Sequence, residues 1–448
     1  MKVECYKSIR PLNLLSCQSL LTKIRIRMSR YIYGVDFGTT NSAIAIIDTE
    51  TNEIIKTFNE GSLIYFPQPM NLRAPLKHFV GQNAIEQYVA NNMKGRFMKS
   101  LKRILPRSGF SDTFIFGKRF FAEDLVAIIL KYLKDKADKF VGETVTKAVF
   151  GRPVVFDENP EKDQLAQTRL LKAAKLAGFE EVAFQMEPIA AAFTYERLIE
   201  KDETVLVADL GGGTSDFTLM NLSPARLNDV NRKEDIIGQG GIYIGGDNFD
   251  SSIMWTKGTH HFGKGLTYND FETMVTVPKR YFLTICSWEK MNFFDGIKMR
   301  NNLKKFYFLT GKHPRFKNLL TLVNENLGYS IFQSVEKAKI DLSSTDNSSF
   351  AYSNGDIKIN EAINIDEFSN EIIGEDINNI KDYLSDFLEN ANLDKDKVDT
   401  VFMTGGTSMV RPIREFMVDT FSEDAVKSGD NFNSVANGLA YSHVLFFN

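Results

Sequence analysis

A chain of 448 residues that is 43% hydrophobic and 25% charged has enough apolar material for two or more domains with substantial cores. Its formal net charge of −3 excludes the strongly basic balance of a nucleic-acid or anionic-membrane binder, and no apolar run approaches the roughly 20 residues that span a bilayer as a helix. Cys5, Cys17 and Cys286 form no CxxC pair and no disulfide framework, which fits a reducing cytoplasm.

In chain order, the first 27 residues, "MKVECYKSIRPLNLLSCQSLLTKIRIR", scatter basic residues around a short apolar patch at 14–21. The patch is brief, broken by polar residues and followed by more basic ones, so it makes a poor core for a secretory signal peptide. Met28, directly before "SRYIYGVDFGTT", reads as a better start. Residues 1–29 are therefore expected to be a poorly ordered leader or an artefact of start-site choice. "RYIYGVDFGTTNSAIAIID" (30–48) is an apolar strand that ends in Asp36, bends through Gly38, Thr39 and Thr40, and resumes at 43–47. In "RFMKSLKRIL" (96–105), Lys99, Lys102 and Arg103 join Lys94 and Arg96 in a basic cluster, whose plain alternative to a catalytic role is a solvated face of a basic helix. Residues 122–140 carry helical apolar spacing through Leu125, Ile128, Ile129 and Leu133, with Lys and Asp on the other face. "TVTKAVFGRPVVF" (144–156) predicts a buried strand stopped at Pro153. A helix over 162–177 ended by Gly178, a strand at 182–185 and a helix from Pro188 follow; proline suits a first turn because its missing N–H has no partner there.

"TVLVADLGGGTSDFTLMNL" (204–222) repeats the design of the first hairpin, with an apolar run, Asp209, three glycines, a Thr-Ser-Asp triplet and a second strand. Consecutive glycines permit a sharp turn and let another group approach the backbone closely. N–H groups gathered in such a bend suit an anion, and a carboxylate beside an anion calls for an intervening cation, as Mg²⁺ provides between carboxylates and phosphates. Taken singly, the loop is equally an ordinary Gly-rich hairpin turn. Residues 248–330 are aromatic-rich and basic and read as a mostly helical subdomain. "VDTVFMTGGTSMVRPIREFM" (398–417) is a third relative: strand, Gly-Gly-Thr-Ser turn, helix. One supersecondary unit recurring in two halves suggests a duplicated architecture with loops facing over a cleft.

"DFGTTNS" (36–42) and "VLVADLGGGTSDFTL" resemble the two phosphate loops of the DnaK-type heat-shock chaperones, and "MEPIAAAFTY" (186–195) resembles their connecting motif. "YIGGDNFDSSIM" (243–254), "VEKAKIDLS" (335–343) and "TGGTSMVRPI" (404–413) fall in family order, so the resemblance runs from about residue 31 to 440. "YFLTICSWEKMNFF" followed by "SVEKAKIDLS" is similar to the short YegD-like branch, which lacks a peptide-binding domain. The resemblance implies an α/β, two-lobed actin-like ATPase fold, with duplicated ribonuclease-H-like mixed sheets around a nucleotide cleft. Lobe I would span 30–200 and lobe II 201–430, with the helical subdomain at about 248–330 and a C-terminal helix at 431–448 returning to lobe I.

It also implies roles for residues. Asp36 and Asp209, joined by Glu187, would hold Mg²⁺ mostly through its waters. Gly38, Thr39, Thr40, Asn41, Gly211, Gly212, Gly213 and Thr214 would bind the phosphates of ATP or ADP. Asp216 would orient the attacking water, and Lys102 would be the catalytic lysine, with Lys99 as its rival. Gly245, Gly246, Glu336, Lys339 and Ser343, with Gly405, Gly406 and Thr407 opposite, would hold the rest of the nucleotide. Ile340 and Met409 stand where the long chaperones have arginines, and Phe432 where they have an aspartate, so the base pocket is expected to be more apolar.

Two decoys lack the chemistry they suggest. "GTHHFGKG" (258–265) nearly matches a P-loop but has Gly265 in place of Ser or Thr and no preceding strand. His260 and His261 have no third metal ligand nearby in sequence. The expected activity is that of a cytoplasmic, monomeric, Mg-dependent ATPase of the chaperone family, with nucleotide as ligand, co-chaperones or client proteins as partners, and neither nucleic acid nor membrane. A hydrolytically idle nucleotide sensor and a small-molecule kinase of the same fold stand as alternatives.

Overall fold

The computed structural model describes residues 29–71, 75–91, 93–227, 229, 231–291, 297–429 and 433–447. The leader at 1–27 and Phe432 lie outside the described residues.

Two five-stranded sheets carry the fold. In the first, β1 (Tyr31–Phe37), β2 (Asn41–Asp48) and β3 (Glu53–Gly61) form an antiparallel meander. Helix α1 (Ala122–Val141) leads to β4 (Lys147–Arg152), helix α2 (Pro160–Leu176) to β5 (Glu181–Met186), and α3 (Glu187–Glu196) follows. Strand β4 pairs parallel to β1 and β5 parallel to β4, giving the order β5-β4-β1-β2-β3. The second sheet repeats the plan. Strands β6 (Glu203–Leu210), β7 (Ser215–Leu222) and β8 (Ile236–Ile242) form the meander, followed by α4 (Gly246–Ile253), α5 (Gly328–Asp341) and α6 (Gly374–Asn390). Strand β9 (Thr400–Thr404), helix α7 (Arg411–Phe421), strand β10 (Val426–Ser428) and helix α8 (Ser434–Tyr441) complete the chain. Strand order β8-β7-β6-β9-β10 matches the first sheet strand for strand. This is the two-lobed actin-like architecture with a duplicated mixed sheet.

Both central strands are buried on both faces, which is why they read as near-continuous apolar runs rather than alternating ones. In β6, Leu206 and Ala208 join Phe217, Ile380 and Leu384 in the large core of the second lobe, while Val205 and Val207 face Ala190, Ala191 and Phe193 of α3. On the first sheet, Val35, Ile44 and Ile46 pack against Leu125, Ile129 and Leu170 of α1 and α2. Helix α3 therefore joins the two sheets and shares its core with both.

Helix α8 packs on β1 and α3. Small residues make that possible: a methyl group on Gly34 would stand 2.3 Å from the Ala436 carbonyl oxygen, and one on Gly438 would stand 1.6 Å from the Ala190 carbonyl oxygen. Backbone is what such a methyl meets, so relief requires moving a helix. Gly438→Ala is expected to cost about 1–3 kcal/mol of stability, as overpacking does. Denaturant unfolding would check this; an unchanged midpoint would contradict the close helix crossing.

Three local expectations differ from the structure. Residues 248–330 contain a hairpin, Thr267–Asp270 paired with Thr273–Thr276, among their helices. Lys102 and Arg103 sit on a single 3₁₀ turn, Leu101–Ile104, while Arg96 belongs to the strand Arg96–Met98, so the basic cluster is not a helix face. Helix α2 starts at Pro160, where Asn159 Oδ1 accepts from the N–H groups of Glu161 and Lys162. Among the described residues, no helix is long and apolar enough to cross a membrane.

Candidate functional site

The turns of the two meanders meet. Asp36 and Asp209 each occupy the next-to-last position of the first strand, opposite Ala43 and Asp216 respectively. A methyl on Gly212 would stand 2.7 Å from Thr40 Oγ1, and one on Gly213 would stand 3.4 Å from Thr39 Oγ1. At Gly212 a side chain would therefore crowd the Thr40 hydroxyl, while at Gly213 it would only touch Thr39. Behind the second loop, the N–H groups of Gly246 and Asp247 donate to the carbonyls of Gly211 and Gly212 at 3.2 and 2.7 Å, and the Thr407 hydroxyl donates to Gly211 at 2.7 Å. These bonds, with that from the Gly211 N–H to the Thr214 carbonyl at 2.9 Å, fix the loop.

The loops border a cleft of about 620 Å³, within the range typical of small-molecule sites. Asp36, Gly38, Thr39, Thr40 and Asn41 line it from the first lobe. Asp209, Gly211, Gly212, Gly213 and Thr214 line it from the second. Lys102 and Glu187 form its floor, and Gly246, Glu336, Lys339, Ser343, Gly405, Gly406 and Thr407 its far wall. Two predicted residues do not reach it. Gly245 lies beneath the second loop, where a methyl would stand 2.6 Å from the Gly211 carbonyl oxygen. Asp216 is buried behind that loop, its Oδ1 accepting from the Val154 N–H at 3.2 Å.

Lys102 is positioned by a reversal at Ser100, whose φ of 58° is left-handed. Its Nζ lies 2.6 Å from Glu187 Oε1; the Glu187 side chain is buried and that of Lys102 is 11% exposed. Burial works against the ammonium, but Glu187, Asp36 and Asp209 outweigh it and hold the Lys102 pKa above its ordinary value. The rival Lys99 does not line the cleft; its Nζ lies 3.4 Å from Glu336 beside a separate small cavity. Burial, then the charge of Glu187, pushes Asp36 up to about 7, with Lys102 pulling the other way. Burial raises Asp209 well above the carboxylate range, reinforced by Glu187, Asp216 and Asp36. Asp216 is pushed up to about 7 by burial and Glu187, against its bonds to Thr214 and Val154.

Four acidic side chains thus share a buried region with one ammonium. This deficit of positive charge, among oxygen donors only, fits a hard divalent cation such as Mg²⁺.

At the far wall, α5 supplies Glu336 and Lys339, while Ser343 falls in the turn just past the helix end. Lys339 Nζ pairs with Asp250 at 2.8 Å and donates to the Gly246 carbonyl at 3.1 Å. Gly405 requires its positive φ of 80°, and a methyl there would stand 2.3 Å from the Leu210 carbonyl oxygen. Ile340 and Met409 both border the cleft and are 58% and 54% exposed, so this end presents apolar surface to whatever enters. Sequence reasoning missed Asp247, Asp250 and Arg103. Arg103 lies 3.4 Å from Asp247, and Asp250 holds Lys339. The signal was present in "GGDNFD", where both aspartates follow the glycine pair on the first turns of α4.

A family model described as Hsp70 protein matches residues 32–264 and 320–445. The matched stretches contain both loops, Lys102, Glu187 and the far wall; the gap at 265–319 falls in the aromatic-rich subdomain.

Proposed function

This chain belongs to the Hsp70 protein family, and on that premise we propose that it binds Mg-ATP and Mg-ADP in the cleft, hydrolyses ATP, and couples nucleotide state to cleft opening and closing. The observation that carries the reading is the meeting of two Asp-bearing Gly/Thr loops over the Lys102–Glu187 pair. Asp36, Asp209 and Glu187 would hold Mg²⁺, which when bound supplies the charge that reconciles these carboxylates with phosphate.

The protein's own groups do the rest. Backbone N–H groups and hydroxyls of residues 38–41 and 211–214 bind the phosphates, as such concavities do. Lys102 places a fixed positive charge where negative charge develops during phosphoryl transfer, which is catalysis by preorganised electrostatics. Asp216, held by Thr214 and Val154, orients the water through the second loop. Lys339 and Glu336 hold the sugar side, and Ile340 and Met409 flank the base. Co-chaperones and client proteins are the protein partners that family membership brings to this reading.

ATP turnover by the purified protein, measured with Mg²⁺ and with chelator, tests hydrolysis. Metal-dependent turnover supports the reading; none above background, with tight binding, replaces it by a hydrolytically idle sensor. The apolar base end, Ile340 and Met409, favours that second reading.

The same residues give a specific expectation. Ile340→Arg should tighten ATP and ADP several-fold, because a guanidinium stacked on an aromatic base is worth roughly 0.5–2 kcal/mol. Calorimetric titration would measure it, and unchanged or weaker affinity in a folded variant would place the base elsewhere.

A further inference from the structure

Past the end of α4, the chain passes through Met254–Gly258 into a short turn, Thr259–Phe262, that carries His260 and His261. A hundred residues later, the hairpin Asn347–Asn354/Ile357–Asn364 supplies Glu361. Both imidazoles reach one carboxylate oxygen: His261 Nε2 lies 2.8 Å and His260 Nε2 3.3 Å from Glu361 Oε1. The rings are 4.0 Å apart and inclined by 40°, and one ligand atom from each of the three residues lies within 4.8 Å of the others.

The strand pattern makes Glu361 unusual. Ile357, Ile359 and Ile363 are buried on one face of their strand, and the two-residue period puts Glu361 on that same inward face. A carboxylate in an apolar phase needs partners that compensate its desolvation. The turn is also held in place, because Arg315 Nη1 donates to the His260 carbonyl at 3.4 Å and Asn318 Nδ2 to the His261 carbonyl at 3.1 Å. Glu361 is fixed by its register opposite Phe350. The three side chains remain partly open to water, at 41%, 23% and 28% exposed.

We propose that His260, His261 and Glu361 form a site for a divalent transition metal, with Zn²⁺ the best match, that clips the 259–262 turn to the hairpin. Two imidazoles and a carboxylate are a recurrent three-ligand set for Zn²⁺, with water completing the shell. Imidazole near neutral pH has a free ring-nitrogen lone pair, and the set is too rich in nitrogen to favour Mg²⁺ or Ca²⁺. The guanidinium of Arg315 opposes a cation here, so the converging ligands rather than net charge supply the affinity. Sequence reading dismissed the His pair for want of a third ligand; strand pairing supplies it from far along the chain.

The test is calorimetric titration of the full chain with ZnCl₂ in millimolar Mg²⁺ without nucleotide, with Asp209→Asn titrated in parallel so that metal entering the nucleotide cleft is told apart from metal at this site. One Zn²⁺ per chain is expected, with affinity weakened about tenfold or more by His261→Ala and by Glu361→Gln. Glu361→Gln keeps side-chain size, so it remains informative if His261→Ala fails to fold. Cobalt(II) substitution should give visible absorption bands in the wild-type protein and lose them in Glu361→Gln. Absence of Zn²⁺ binding up to submillimolar metal, or equal affinity in the wild-type chain and Glu361→Gln, would overturn the proposal.

Discussion

Lys102→Ala should lower ATP turnover by about 10²–10³-fold while changing nucleotide affinity little, the usual result of removing one preorganised electrostatic contact, worth roughly 2.7–4 kcal/mol of barrier. The side chain lines the cleft, 2.6 Å from Glu187 and among the charges of Asp36 and Asp209, so its charge is fixed before substrate arrives. Lys99→Ala makes a pointed comparison. Lys99 pairs with Glu336 on the wall assigned to the sugar, so its removal should weaken binding more than it slows the chemical step. Steady-state kinetics on both variants separates the two. Equal effects on turnover and affinity from both substitutions would mean that Lys102 contributes only to the general charge of the cleft.

Asp216→Asn should stabilise the metal-free protein at pH 8 and have little effect near pH 4. The Asp216 carboxyl is completely enclosed and titrates near 7, whereas in the unfolded chain it titrates near 3.8. Between those values the folded state binds more protons than the unfolded state. Stability from this group is therefore fully present below about pH 4 and is lost as pH rises through about 7. A displacement of this size corresponds to on the order of 4 kcal/mol. Asparagine is neutral at every pH, and its Oδ1 can still accept from the Val154 N–H, so the variant escapes the loss. Thermal melts in chelator across pH 4.5–8 would show wild type and variant diverging as pH rises. Parallel curves would mean that Asp216 is not desolvated in the way its surroundings indicate. The same substitution should lower turnover, because stability and activity compete at a buried charged site.

Much of this was legible from the sequence, and the reasons are physical. The Asp36 and Asp209 hairpins declare themselves because strands buried on both faces are unbroken apolar runs, and an Asp-bearing Gly/Thr bend that is ordinary when taken singly becomes informative when it recurs in both halves. Their recurrence suggested a duplicated architecture, and the two sheets share one strand order.

What stayed hidden depends on contacts across long separations or on atypical local chemistry. The Lys339–Asp250 and Arg103–Asp247 pairs join residues 89 and 144 positions apart, and no local period encodes them. The hairpin at 267–276 turns through Phe271 and Glu272, with φ of 53° and 83°, and lacks the Asn or Gly that normally announces such a turn. Asp216 sits opposite Asp209 in the ladder, two residues past the cleft-lining Thr214, and no sequence pattern tells the loop residue that lines the cleft from the strand residue held behind it.

Calorimetric titration with ATP, run in Mg²⁺ and again in chelator, tests the central claim most directly, because everything proposed for the cleft depends on metal and phosphate meeting between Asp36 and Asp209. Saturable binding of one nucleotide per chain in Mg²⁺, sharply weakened in chelator and in Asp209→Asn, is the predicted result. No heat and no displacement of a labelled nucleotide at millimolar ATP or ADP, with the protein folded and Mg²⁺ present, would contradict it.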